Sequence, residues 1–216
     1  MSKIARYIFG LALFGAAAAA DAIEPDSLTT RAFHRFSTAI TLSPISVPIP
    51  LGFGANLYYI KDARWLIGAD VTYSQSTFGF LSSDLDEVHD THIALQALYF
   101  FGNSFHARFA VGQRYTHMRL ARKLFNPAAS GPRQTESILE SQFVRIGFGN
   151  LWHYSNKYSF GLNWLNFNFP VSGATTRSAA GNALNANDMK SIADNETIIR
   201  YFPSATFLQM ELGLVF

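Results

Sequence analysis

The last ten residues, Phe207-Leu208-Gln209-Met210-Glu211-Leu212-Gly213-Leu214-Val215-Phe216, constrain the fold more than any other segment. Side chains along a strand point to opposite faces in turn. Leu208, Met210, Leu212, Leu214 and Phe216 therefore share one face, and Gln209, Glu211 and Gly213 share the other. A greasy face, a polar face and a terminal aromatic predict a strand that closes a barrel in lipid, with its polar side turned to the lumen.

The start of the chain carries a secretory signal pattern. Lys3 and Arg6 precede an apolar run from Ile8 to Ala20, and Ala20-Asp21-Ala22 is an A-x-A cleavage site. The run is too short to span about 30 Å of hydrocarbon as a helix. Residues 1–22 are thus expected to be a cleaved signal peptide, and residues 23–216 one barrel domain. Cleavage would remove Lys3, Arg6 and Asp21 and lower the formal net charge from +2 to +1. A balance so close to neutral gives no reason to expect nucleic acid as a partner. The chain has no cysteine, so no disulfide framework can stabilise it. Charged residues make up 15 %, against ~25 % in an ordinary soluble domain. Twenty of the residues are Phe, which suits a surface facing lipid better than one facing water.

Eight strands can be read at a spacing that suits tilted lipid-spanning strands. They run over 35–42, 51–60, 64–77, 91–101, 105–117, 138–152, 158–169 and the C-terminal segment. The outward face of the first carries Phe36, Thr38, Ile40 and Leu42. In the second it carries Leu51, Phe53, Ala55, Leu57 and Tyr59, and in the fourth Ile93, Leu95, Ala97, Tyr99 and Phe101. In the seventh strand the alternation blurs at Leu165 and Phe167. The connections at 43–50, 80–90, 120–137 and 170–202 are long or prolyl, and those at 61–63, 102–104 and 153–157 are tight. Aromatic residues gather beside the tight turns: Tyr59, Trp65, Phe101, Phe105, Trp152, Tyr158 and Phe216. They are expected to form a periplasmic girdle.

An even strand number, alternating long and short connections and a terminal Leu-x-Leu-x-Phe resemble the small eight-stranded outer-membrane barrels of the OmpA, OmpX and OmpW kind. The resemblance covers the mature chain and is architectural. It implies an all-β, antiparallel up-and-down transmembrane barrel in the bacterial outer membrane. It also implies outer-membrane lipid, lipopolysaccharide and, through the last strand, the barrel-assembly machinery as partners. A soluble barrel of lipocalin type is the alternative, with apolar faces turned inward around a ligand. The glycines of the polar face (Gly52, Gly54, Gly68, Gly112, Gly147, Gly149, Gly161 and Gly213) favour a crowded lumen instead.

The inward set contains Arg35, Asp70, Arg108, Arg114, Arg145 and Glu211, with Asn56, Gln96, Asn163 and Gln209. An eight-stranded barrel is just wide enough for side chains to fill, and charges inside it must pair or stay wet. Arg35 on the first strand and Glu211 on the last are expected partners. Arg145 is expected beside Arg108 or Arg114, with Asp70 taking one of these arginines. Arginines outnumber acids in this set, which keeps a narrow channel for small solutes open as a reading.

Three strings invite chemistry. His153-Tyr154-Ser155-Asn156 is similar to the H-x-S-N motif of outer-membrane lipid A deacylases, another family of eight-stranded barrels. That resemblance implies His153 as base, Ser155 as nucleophile and Asn156 as oxyanion donor. Its place in a tight periplasmic turn, away from outer-leaflet lipid, argues for an ordinary Ser- and Asn-rich turn. The acidic segment Asp84-Leu85-Asp86-Glu87-Val88-His89-Asp90-Thr91-His92 reads as a surface loop whose carboxylates and imidazoles could otherwise hold a divalent ion. Its order matches no metal motif, and neither a metal nor a cofactor is assigned. Arg119, Arg122, Lys123 and Arg133 make the next loop basic, suited to lipid phosphates or to pairing with the acidic loop. In the longest connection, 172–187 reads as an irregular Ser-, Ala-, Gly- and Asn-rich stretch. Residues 188–200 read as a short helix with Met189, Ile192 and Ala193 on one side, a lid for the barrel mouth, or else as strand extensions. The expected function is non-catalytic: a structural or surface-interaction barrel. A narrow channel and an esterase using His153 and Ser155 are the alternatives.

Overall fold

The computed structural model describes residues 26–47, 49, 51–76, 85–120, 134–154, 157–180 and 186–216. The signal segment lies outside them. The elements run α1 (Asp26–Phe33), β1 (Phe36–Ser43), β2 (Ile45–Val47), β3 (Gly52–Ile60), β4 (Trp65–Ser76), β5 (Leu85–Phe100), β6 (Phe105–Leu120), β7 (Gln134–Tyr154), β8 (Tyr158–Ala180), α2 (Ala186–Tyr201) and β9 (Ser204–Val215).

Around the wall, neighbouring strands pair antiparallel. The sheet then closes on itself through β1 and β9, from Ser37↔Val215 to Leu42↔Met210. Closure leaves no open edge to carry unpaired backbone groups, which is the condition for crossing lipid with strands. Strands β1 and β2 form one stave. Both pair with β9, Leu42↔Met210 below and Ile45↔Phe207 above. The break falls at Pro44, which has no N–H to give the ladder. Across from it Leu208 takes φ 57°, an unusual value for a side chain of its size. Phe207 therefore takes the outward place that simple alternation would have denied it.

Alternation holds along most of the wall. Ile40, Leu57, Leu95, Phe109 and Val111 are exposed on the outside, with Leu95 at 68 %. A soluble monomer does not carry an apolar surface this continuous, and a hydrocarbon band would cover it. At the short-turn end Tyr59, Phe101, Phe105, Tyr158 and Phe216 are exposed and Trp65 and Trp152 half-buried, all pointing out. Phe101 and Phe105 meet at 5.9 Å between centroids, and Trp152 stacks on Phe160 at 5.7 Å.

Strand β8 carries two bulges. Gly149↔Asn163 is followed by Phe148↔Leu165, and Phe143↔Pro170 by Gln142↔Ser172, leaving Trp164 and Val171 as extra residues. One extra residue reverses the facing of everything beyond it. Trp164 and Leu165 both turn outward, and Asn166 and Asn168 turn in. The blurred alternation of the sequence is this bulge.

Four expectations need correction. Residues 43–50 are not all loop, because 45–47 pair with β9. The acidic segment becomes strand from Leu85 onward. The connection 170–202 extends β8 to Ala180 and then forms α2, so it combines the two forms weighed for it. And α1 precedes the first strand, where the sequence pattern shows no element. Its Arg31 sits in the last turn, where a cation favours the helix dipole.

Candidate functional site

The lumen is the candidate site, and it is built in tiers. The lowest, beside the short turns, is apolar: Tyr58, Ile60, Leu66, Leu98, Phe100, Leu151 and Val215 form one buried cluster. Gly68 makes this possible. A Cβ there would lie 2.0 Å from the Leu57 carbonyl oxygen and 2.9 Å from the Tyr58 ring. Sequence reading by strict alternation missed this cluster. Its signal is visible, however, where alternation fails at strand ends: Tyr58-Tyr59-Ile60, Trp65-Leu66-Ile67 and Leu98-Tyr99-Phe100-Phe101 are apolar on both faces.

Helix α1 lies across this end as a plug. Arg31, 1 % exposed, donates through Nε to the Ala63 carbonyl at 2.8 Å and through Nη2 to the Gly102 carbonyl at 3.4 Å. Its guanidinium stands 3.9 Å from the centre of the Phe100 ring. Ser27 Oγ accepts the His153 backbone N–H at 2.9 Å. The helix thus touches all three short turns. Burial lowers the Arg31 pKa to about 10, which still leaves it charged at neutral pH.

Above Tyr58 the lumen is polar. Arg108 and Glu211 form a fully buried ion pair. Arg108 also donates to the Tyr58 hydroxyl at 3.1 Å and to Gln209 at 3.3 Å. Glu211 also accepts from Tyr58 at 3.3 Å and from Asn163 Nδ2 at 2.6 Å. One tier up, Arg145 Nη1 donates to Asp70 at 2.9 Å and Nε to Asn168 Oδ1 at 2.6 Å. Near the long-loop end Arg114 Nε donates to both oxygens of Asp90 at 2.9 Å. Thr116 Oγ1 donates to Asp90 at 2.9 Å, and His92 Nε2 lies 3.1 Å from it.

The expected lumen set is therefore brought together except for Arg35. That residue is exposed on the rim, in the crossing between α1 and β1, where its backbone N–H bonds Phe216 and its carbonyl accepts from Ile60. Its side chain does not reach Glu211, and Arg108 takes that place. Arg145 sits opposite Ala110 on β6, diagonal to Arg108 as expected, and it is the arginine that Asp70 takes, across the lumen. The excess of arginine also disappears. Asp90, read as a loop residue, is the third acid of the lumen, so Arg108, Arg114 and Arg145 each have a carboxylate.

The other candidates fare differently. His153 is 1 % exposed beneath α1, and neither ring nitrogen has a hydrogen-bond partner among the described residues. Ser155 and Asn156 lie outside those residues, and nothing in the placement of His153 exposes it to a lipid substrate. Strand alternation divides the acidic segment. Asp90 and His92 turn in, while Glu87 and His89 turn out, 3.1 Å apart, with His89 Nδ1 2.5 Å from the Tyr73 hydroxyl. Among the described residues no three His, Cys, Asp or Glu side chains are grouped to hold a metal ion. Arg119 lies on β6, and Arg122, Lys123 and Arg133 fall outside the described residues. Helix α2 meets the extended β7 and β8, where Ser137 Oγ donates to Glu196 at 2.6 Å. Arg114 Nη1 reaches the Phe202 carbonyl at 3.5 Å, just past its end.

No family model matches the chain, and no curated protein matches its sequence. Solved structures do match its fold. A major outer membrane protein from Thermus thermophilus aligns with TM-score 0.51 at 9 % identity, over 85 % of this chain and 100 % of that one. The N-terminal β-barrel domain of Pseudomonas aeruginosa OprF aligns with TM-score 0.46 at 10 % identity, over 85 % and 98 %. Acinetobacter baumannii CarO2 aligns with TM-score 0.49 at 11 % identity, over 85 % and 99 %. The fold is that of a small outer-membrane β-barrel.

Proposed function

We propose that this protein is a closed, lipid-anchored barrel of the bacterial outer membrane, with a structural or surface-interaction role, not a pore and not an enzyme. The observation that carries the reading is the filling of the lumen by the described residues, from the short-turn end up to a small cavity near the long-loop end. An apolar cluster under α1 closes the short-turn end, and three buried arginine–carboxylate pairs occupy the tiers above it. A solute path would have to separate one of these pairs, and leaving a buried ion alone costs several kcal/mol. The apolar outer wall, edged by aromatic rings, supports insertion in lipid. Its natural contacts are membrane lipid and lipopolysaccharide. During assembly β9, whose pairing with β1 closes the barrel, would be the strand presented to the insertion machinery. The signal pattern at residues 1–22 supports export.

Purified protein reconstituted in planar bilayers tests the reading. The expected record is flat at physiological voltage. Discrete conductance steps that survive repurification, and that change with Arg108→Ala, would establish the narrow-channel reading in its place.

A further inference from the structure

The filling of the lumen stops short of the long-loop mouth. A cavity of about 40 Å³ lies there above the Arg145 tier, lined by groups from β1 to β5 on one side and from β7 to β9 on the other. We propose that this cavity is a binding site for the hydroxyl-bearing edge of a neutral sugar or polyol.

Its size limits the occupant. Roughly 10–15 Å³ of such space admits one water, so the cavity takes about three hydroxyl-sized groups. That is one edge of a pyranose ring, with the rest of the ring outside the cavity. Its charge limits the occupant too. Asp90, His92 and Arg145 line the cavity, but each is already engaged: Asp90 by Arg114 at 2.9 Å, His92 by Asp90 at 3.1 Å and Arg145 by Asp70 at 2.9 Å. A charged ligand would find no unpaired partner and would leave water for nothing. What the lining offers is neutral. Ser43, Thr72, Ser74 and Thr206 supply hydroxyls that can donate or accept. Asn166 offers nothing charged: its NH2 donates to Gln209 at 3.2 Å and its amide oxygen packs over Gly147. A ligand with O–H groups can both donate to these hydroxyls and accept from them. A sugar does both on adjacent carbons. The same chemistry is offered by a soluble sugar and by the outermost sugar of a glycolipid.

The full chain in a sugar-free detergent can be probed by saturation-transfer NMR with glucose, glucuronate and glucosamine in turn. Saturable transfer to glucose, stronger than to either charged analogue, is expected. Gly52→Val should abolish it. A Cβ at residue 52 meets Ser74 Cβ at 3.5 Å and Ser43 Cβ at 3.7 Å, ordinary contact, so its two methyl groups would go into the cavity. Thr72→Val, an isosteric change that removes one hydroxyl, should weaken binding roughly three- to tenfold and covers the case in which Gly52→Val does not fold. Competition by glycolipid vesicles identifies the source. Displaced glucose points to a membrane sugar and undisplaced glucose to a soluble one. The proposal is overturned if no probe shows saturable transfer, which leaves the cavity to water. It is equally overturned if a charged analogue binds better than glucose, or if folded Gly52→Val and Thr72→Val both bind like the parent chain. A conducting barrel that binds glucose would sink the closed-scaffold reading and leave this one standing.

Discussion

At the short-turn end the lumen holds Ile60, Leu66, Leu98 and Phe100 beneath a helix, whereas above Tyr58 it holds Arg108, Glu211, Arg145, Asp70, Arg114 and Asp90. Both regions are closed, and the physics differs. In the apolar end each side chain contributes through area removed from water and through close packing, so losses scale with the volume removed. In the polar end the members depend on one another. Each ion was taken out of water on the condition that its partner stays. One end should therefore fail gradually and the other all at once.

The largest expected effect breaks a pair. Glu211→Leu leaves Arg108 buried without its carboxylate and should destabilise the barrel by about 3–5 kcal/mol. Urea titration of the folded form in lipid vesicles would measure it. The double change Arg108→Met with Glu211→Leu should recover much of that loss, and a double variant as weak as the single one would mean that the pair is not the unit of stability. Next in size is a charge on the outer wall. Leu95→Arg puts a guanidinium on the lipid face and should cost about 2–4 kcal/mol if that face lies near the bilayer midplane. The same titration reads it, and a neutral result would place Leu95 away from hydrocarbon.

A smaller effect is expected at the plug. Arg31→Ala removes two hydrogen bonds to turn carbonyls and a ring contact, and should loosen α1 by about 1–3 kcal/mol. Protease cleavage near residue 33 should speed up. Conductance should stay absent, because the apolar cluster lies beneath. Opening on loss of Arg31 alone would show that the helix, not the cluster, closes this end. The smallest effect is Phe33→Ser. That ring is 83 % exposed, and its loss should move stability by no more than about 0.5 kcal/mol.

The staves, their facing and the tight turns were legible because the barrel wall imposes a period of two on any sequence that forms it. Where that period broke, the reading broke with it. The seventh strand lost its phase at Trp164, where a bulge adds a residue, and residues 85–90 read as part of a polar loop because titratable side chains stand on both faces, Glu87 and His89 outside and Asp90 inside. Helix α1 was missed because Asp26–Phe33 has no long apolar stripe. What holds it is one arginine reaching two turns that are 32 and 71 residues away along the chain.

Within each run free of bulges, the sequence by itself determined which side chains face lipid and which face the lumen, since facing there depends only on neighbours along the strand. Who meets whom across the lumen was decided by the closed cylinder. Arg108 finds Glu211 across 103 residues, and Arg145 finds Asp70 across 75. Closure, tilt and bulges together set the height of each side chain, and no local pattern carries that information. For the same reason Asp90, and not Arg35, completes the set of buried charges.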